Sequence, residues 1–390
     1  MKNYYIFFIF LSFTTLLLVE QFIGFSNLPR YLDEEVYVKC GLSYVVNSTP
    51  PMNCNFEHPP LAKYFIGFFS LLGIAGIVYF VLAIVSGVLL YLMINDYTSG
   101  DWCAELSIVV FFLFDTIIFN TCRFLLLDPL AVFFALLSIY FFQRGHRWAS
   151  AVIGGLAIAS KFSVAPIVAG LWLLLLFKDK RVKESLTYLA LAFTTYFSTF
   201  IMDLRLGWDG IIRHHVEMFK YMSWRHGFSS AIAALGFMKL IARVEAWRYP
   251  GDYTFIVSTI GSTVELVNTT FTLVGKWYLI IYVGGGSPLW YLLLPSLLYA
   301  TYLVLTRKAT NGLKISVLLS WFSMFNVAAG PLDWYYVNTL PFLYATLVLL
   351  IKHVAASRYK WVLLGLTIIQ IASFTLTITG LIPFRIVLSI

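Results

Sequence analysis

Uninterrupted apolar runs, most of them near the ~20 residues that an α-helix needs to cross a bilayer, follow one another along nearly the whole chain. A soluble core of this size could not bury them. Of the 390 residues, 60% are hydrophobic and 12% charged, against about 25% charged in soluble domains. The chain is therefore expected to be an all-α, polytopic membrane protein forming a single transmembrane domain over residues 1–390. The runs are continuous rather than alternating, which sets them apart from the strands of a membrane β-barrel.

About eleven spans are expected, at about 4–24, 74–94, 102–121, 126–142, 148–162, 164–177, 185–202, 288–306, 313–329, 334–351 and 361–381. A short interfacial helix over about 60–72 precedes the second span, because 61–94 is too long for one upright crossing and Gly73 and Gly76 divide it. The opening MKNYYIFFIFLSFTTLLLV has too long an apolar run for a signal peptide and no small-residue cleavage site, so it reads as a retained helix.

Cations fix the expected orientation. Arg144 and Arg147, then Lys178, Lys180, Arg181 and Lys183, then Arg307, Lys308 and Lys314, then Lys352, Arg358 and Lys360 fall on one side, which the positive-inside rule makes cytoplasmic. The amino terminus is then cytoplasmic. The polar loop at about 25–62, the Arg123–Asp128 turn, the long region 203–286 and the segment 330–338 face outside. The same rule accounts for the net charge of +8 without nucleic acid, for which no basic aromatic stripe or phosphate loop argues. The sequons at Asn47 and Asn268 both fall outside and are candidate glycan acceptors.

The first outer loop concentrates reactive side chains. Asp33 opens a periodic run, Val36, Tyr37, Cys40 and Tyr44, that fits an amphipathic interfacial helix. Asp33 is either its N-cap or a group that does chemistry. Glu35 and Lys39 stand at i,i+4 and are explained as a surface pair, whereas Glu34 has no such local partner in the sequence. Cys40 and Cys54 share the loop, and their pairing depends on an oxidising compartment. Further on, Glu57-His58-Pro59-Pro60-Leu61 leads into an apolar helix, with Pro60 suited to its first position. Lys63 then sits in the first turn, against the helix dipole. It either serves an anion there or snorkels to headgroups.

Three more ionisable residues edge apolar spans: Arg123 and Asp128 in NTCRFLLLDPLAVFF, and Lys161 at the outer end of GGLAIASKFSVAP. Such residues are costly and default to functional hypotheses, with headgroup contact as the plainer account. His214, His215 and Glu217 make a poor metal set, because adjacent side chains on a helix point about 100° apart. Trp224, Arg225 and His226 beside an apolar face fit an interfacial helix.

Taken in order, these motifs resemble the polyprenyl-phosphate-mannose-dependent protein mannosyltransferases and their aminoarabinose-transferase relatives, membrane enzymes of the GT-C type. The shared elements are Asp33-Glu34 with Tyr37, His58-Pro59-Pro60-Leu61-Ala62-Lys63, Arg123 through Leu127-Asp128, and Gly154-Gly155 to Lys161. Looser ones are Gly286-Ser287-Pro288-Leu289-Trp290 and Trp334-Tyr335-Tyr336 to Leu340-Pro341. Ser287 stands where the family usually has Asn, a Tyr-His pair is missing near Tyr335, and the 203–286 region is too short for the inserted β-domain of the eukaryotic enzymes.

The resemblance implies transfer of a sugar, mannose first, from a polyprenyl phosphate to a hydroxyl of a protein, glycan or lipid, with inversion, on the outer face of an archaeal or bacterial-type plasma membrane. Asp33 and Glu34 would be catalytic. Tyr37, Glu57, His58, Lys63, Arg123, Asp128 and Lys161 would bind substrate. No cofactor is demanded by the sequence, although Asp33, Glu34, Glu57 and His58 leave room for a divalent metal. Two other classes compete. A transporter or lipid flippase would line a midplane path with ionisable groups and often carry inverted repeats; here the polar residues gather at one face instead. A catalytically inactive assembly partner would leave the paired acids unexplained.

Overall fold

The computed structural model describes residues 12, 33–178, 180–227, 286–328 and 333–382, with the segments 244–248, 255–256, 268–269, 277–282 and 385–389. Apart from residue 12, the expected first span, about 4–24, lies outside the described residues, as do Tyr31 and Leu32.

The chain is predominantly helical. An amphipathic helix α1 (Asp33–Asn47) is followed by α2 (Leu61–Leu71) and α3 (Ala75–Thr98). Then come α4 (Trp102–Leu113), α5 (Thr116–Arg123), α6 (Leu127–Gln143) and α7 (Arg147–Ser160). Next, α8 (Ala165–Leu173) runs into a π-turn over Leu174–Lys178, and α9 (Val182–Ser198) leads through a 3-10 turn (Ile201–Leu206) to α10 (Gly210–Gly227). The last four are α11 (Trp290–Leu305), α12 (Asn311–Ala328), α13 (Leu340–Val354) and α14 (Tyr359–Ile378).

The expected division at Gly73 is observed: the chain turns there with φ +70° between α2 and α3. At 1.5 Å per residue the 11 residues of α2 reach about 16 Å, which suits an interfacial helix and not a crossing. Among the described residues, α3 and α14 are long and apolar enough to span a membrane, and α4 with α5 make a third if that bent pair is one span. Shorter apolar helices, including α6, α11 and α13, pack beside them. Length and composition thus account for two or three of the about eleven expected crossings.

Three expectations are corrected in detail. The run 102–121 is not one helix: α4 and α5 meet at 54°, because Asp115 caps α5 by accepting from the Ile117 and Ile118 amides. The segment 334–338 is a 3-10 turn (Asp333–Asn338), so the helix expected from 334 begins at Leu340. The buried face of α1 is Tyr37, Cys40, Gly41 and Tyr44, while Val36 is exposed. Its i, i+3, i+4, i+7 spacing is that of a helix packed on one side.

The 203–286 region and the end of the chain also contain short strands that composition did not suggest. β1 (Val244–Arg248) pairs antiparallel with β4 (Trp277–Tyr282), which pairs with β5 (Arg385–Ser389); β2 (Phe255–Ile256) pairs with β3 (Asn268–Thr269). The β4–β5 pairing brings the segment after α14 back beside the one before α11, as an even number of intervening helices allows.

Polar contacts sort to two ends. At one, Arg144 meets Asp96 at 3.1 Å, Lys352 meets Asp101 at 3.2 Å and Arg147 meets Glu184 at 3.6 Å. At the other lie α1, the Arg123–Asp128 turn, Lys161, the 3-10 turn before α10 and Asn338, joined as described next. Between them runs one apolar core drawn from α3–α9 and α11–α14.

Candidate active site

Two helices without room for side chains between them set the frame. A Cβ on Gly41 would stand 2.2 Å from the Lys63 carbonyl, and one on Gly67 would stand 2.1 Å from that of Gly41. The backbones of α1 and α2 therefore touch, and any larger residue would push them apart. A disulfide between Cys40 and Cys54 ties α1 to the following loop, so the pairing left open by the sequence is made.

Asp33, Glu34 and Glu35 occupy the first turn of α1, where the helix dipole favours carboxylates. Asp33 and Glu34 are half-buried, while Glu35 and Lys39 are exposed. Tyr37 Oη lies 3.4 Å from Asp33 Oδ2, and the Tyr37 ring meets the edge of His58 at 6.1 Å between centroids. Asp33, Tyr37 and His58 thus come together. Tyr37 also packs with Ala62, Ile66, Tyr79 and Phe124–Leu127, which seats the Arg123–Asp128 turn against α1 and α2. Leu125 in that turn has φ +47°, an uncommon conformation for a branched residue. Arg123 is half-buried, its guanidinium 4.5 Å from the Phe124 ring centre.

Lys63 is fully buried. It donates to Asn55 O at 2.5 Å, Asn55 Oδ1 at 3.2 Å and His58 O at 2.8 Å. Burial pushes its pKa down to about 7, opposed by the carboxylates of Glu57 and Asp203. Its hydrogen bonds thus grip the loop that carries His58, in the electrostatic field of those two carboxylates. Glu57, half-buried, accepts from Asn55 Nδ2 at 2.9 Å.

Asp128 and Lys161 are brought together and turned on each other. Both are buried, with Lys161 Nζ 2.6 and 2.8 Å from the Asp128 oxygens. Asn338 Nδ2 donates to Asp128 Oδ1 at 2.7 Å and to Ser163 Oγ at 3.0 Å. The cation that meets Asp128 therefore comes from the end of α7.

Reading the sequence missed Asn338, Asp115 and Asp203, and weighed His214 only as a metal ligand. Asp115 Oδ2 accepts from Trp290 Nε1 at 2.9 Å and Tyr344 Oη at 2.6 Å. Gly286 has φ +87°, and a Cβ there would stand only 2.8 Å from the Trp290 ring; its amide donates to Thr116 Oγ1 at 2.7 Å. His214 and His215 diverge, as expected: His214 faces Asp203, and His215 faces Ile211 O and Tyr196 Oη. Among the described residues no three His, Cys, Asp or Glu side chains are grouped as a metal cage requires.

Residues 57–202 match the family model described as dolichyl-phosphate-mannose-protein mannosyltransferase. No curated protein matches the chain. The matched segment holds Glu57, His58, Lys63, Arg123, Asp128 and Lys161; Asp33 and Glu34 precede it. Within 57–202 the resemblance read from the motifs is borne out, and over that segment the chain is similar to membrane glycosyltransferases of the mannosyltransferase type.

Proposed function

We propose that this protein, which over residues 57–202 is similar to the dolichyl-phosphate-mannose-protein mannosyltransferase family, is a GT-C-type membrane glycosyltransferase that moves mannose from a polyprenyl phosphate to a hydroxyl acceptor at the face bearing α1. The observation that carries the reading is the gathering of half-buried Asp33 and of His58 around Tyr37, which shares a hydrophobic cluster with the residues that follow Arg123. A carboxylate and a cation on adjoining elements match the two ends of a glycosyl transfer.

The acceptor hydroxyl attacks the anomeric carbon from the side opposite the lipid phosphate. The new C–O bond forms as the bond to the phosphate oxygen breaks, which inverts the centre. Asp33 takes the hydroxyl proton, help worth roughly 10²–10⁴-fold, and Glu34 orients the acceptor beside it. The leaving polyprenyl phosphate gathers negative charge, which Arg123 offsets as a placed cation. His58 contacts the sugar. Lys63, Asp128 and Lys161 act from below, holding the His58 loop and the Arg123 turn in place. Should a divalent ion bind, the carboxylates of Asp33 and Glu34 are the oxygen ligands on offer.

The face follows from two supports. A disulfide in the α1 loop suits an oxidising compartment, and the cation-rich loops meet at the opposite end. Both favour a site outside the cytoplasm.

Radiolabelled transfer from polyprenyl-phosphate-mannose by wild type and Asp33→Asn in matched bilayers tests the reading. The variant should lose about 10²-fold or more. Equal transfer by the two proteins would remove Asp33 as the base.

A further inference from the structure

The loop between α1 and α2 has almost no regular structure, yet its backbone is held at nearly every step. Tyr44 Oη donates to Cys54 O, Lys63 to Asn55 O and His58 O. Three further grips come from beyond α9. Asp203 Oδ1 accepts from the Met52 amide at 3.0 Å, His214 Nε2 stands 2.9 Å from Phe56 O, and Arg205 donates to Ser48 O at 2.8 Å. Asp203 and His214 are themselves joined, Oδ2 to Nδ1, at 2.6 Å, and both are wholly buried.

The chemistry of that pair is directional. A carbonyl only accepts, so His214 Nε2 must carry a proton toward Phe56. Asp203 engages the other ring nitrogen, and the two contacts together fix the ring plane. One carboxylate thus does two things: it holds the Met52 amide itself and aims His214 at Phe56, two residues before His58. Neither residue lies in the segment 57–202 that matches the family model. Nearby Lys63 shares the field of Asp203, since that carboxylate opposes the fall in its pKa.

We infer that Asp203 and His214 are positioning residues, a clasp from the start of the 203–286 region that sets the register of the Met52–His58 loop and so the place of His58 beside Tyr37 and Asp33. The inference rests on the transfer reading for its effect on rate, and on backbone geometry alone for its effect on the loop. The pair touches no substrate. It acts through the loop, so its loss misplaces reacting groups instead of removing one.

Hydrogen exchange of the full-length protein in lipid discs reads the loop directly. Asp203→Ala should speed exchange at the Met52 amide about tenfold or more, the loss of one charge-assisted hydrogen bond. Asp203→Asn should retain protection, because its side-chain oxygen still accepts from Met52 while its NH₂ donates to Nδ1 of a neutral His214. In the transfer assay Asp203→Ala should lower kcat by up to about 10²-fold with donor KM held, and Asp203→Asn should recover most of it. If Asp203→Ala does not fold, His214→Gln should lower kcat while leaving Met52 protected. Wild-type exchange at Met52 in Asp203→Ala, or wild-type kcat in His214→Gln, would overturn the clasp. An equal loss in Asp203→Asn and Asp203→Ala would overturn it too, by making charge and not register the cause. A wild-type protein that transfers no sugar from the lipid donor would instead sink the transfer reading, with the clasp still decided by the Met52 amide.

Discussion

Asp115 and Asp128 are both buried carboxylates at the first turns of neighbouring helices, and they are satisfied in opposite ways. Among the described residues Asp115 meets neutral donors: the Ile117 and Ile118 amides, the Trp290 indole and the Tyr344 hydroxyl. Asp128 meets the Lys161 ammonium and the Asn338 amide. The first arrangement needs an oxygen acceptor at that point; the second needs a charge opposite a charge. Asp115 therefore behaves as a hinge pin that bends α4 into α5 and clamps α11 and α13. Asp128 with Lys161 ties α6 to α7 beneath the Arg123 turn.

The contrast is sharpest at Lys161. Lys161→Met leaves the Asp128 charge buried without its cation, and should cost about 3–5 kcal/mol in reversible unfolding. The double variant Asp128→Asn with Lys161→Met should regain most of that, because two uncharged groups need no cation. If the double variant is as unstable as the single one, charge pairing does not explain this site.

At Asp115 the order reverses in kind. Asp115→Ala removes a cap and leaves buried donors on Trp290 and Tyr344, for about 2–4 kcal/mol. Asp115→Asn keeps one acceptor oxygen for the α5 amides but turns an NH₂ toward the Trp290 N–H, with only the Tyr344 oxygen able to accept from it, and should cost about 1–3 kcal/mol, less than the alanine. Comparable losses in the two variants, measured by the same unfolding titration, would show that one retained acceptor oxygen counts for nothing at this site and sink the account of Asp115 as a cap.

A pH-dependent effect is expected at Lys63, the buried cation whose hydrogen bonds go to carbonyl oxygens of the backbone and of Asn55. Its pKa falls from the ordinary 10.5 to about 7 on burial. Between those values the unfolded chain binds more protons than the folded one, so folding stability rises with pH across that window. Thermal midpoints of wild type minus Lys63→Met should climb from about pH 7 toward pH 10 and stay flat below pH 7. A falling difference would mean that the ammonium is favoured in the folded protein.

Much of this was legible from residue order. The Gly73 division, the α1 face carrying Tyr37, Cys40 and Tyr44, and the gathering of Arg144, Arg147 and Lys352 at one end all follow from local spacing or loop charge. Asp33, Tyr37 and His58 were named from motifs and do converge. Lys63 was read as serving an anion or snorkelling to headgroups; it holds Asn55 and His58, partners that its place in a helix's first turn does not announce. Asp115 was absorbed into one apolar span, because nothing within 102–121 announces a partner. Trp290 and Tyr344 reach it from 175 and 229 residues away. His214 was weighed only as a metal ligand beside His215, and its actual partners are a carboxylate 11 residues back and a carbonyl 158 residues back.

The division has a physical cause. Apolar length, helical period and loop cations act over a few residues and determine which segments enter the bilayer, so the sequence by itself settled a helical membrane protein with polar groups at its ends. A buried charge or amide is stable only with its partner in place. Which partner that is depends on segments far apart in the chain meeting in the fold. The break at Asp115, the Asp128–Lys161–Asn338 tie and the Asp203–His214 hold on the loop were decided there.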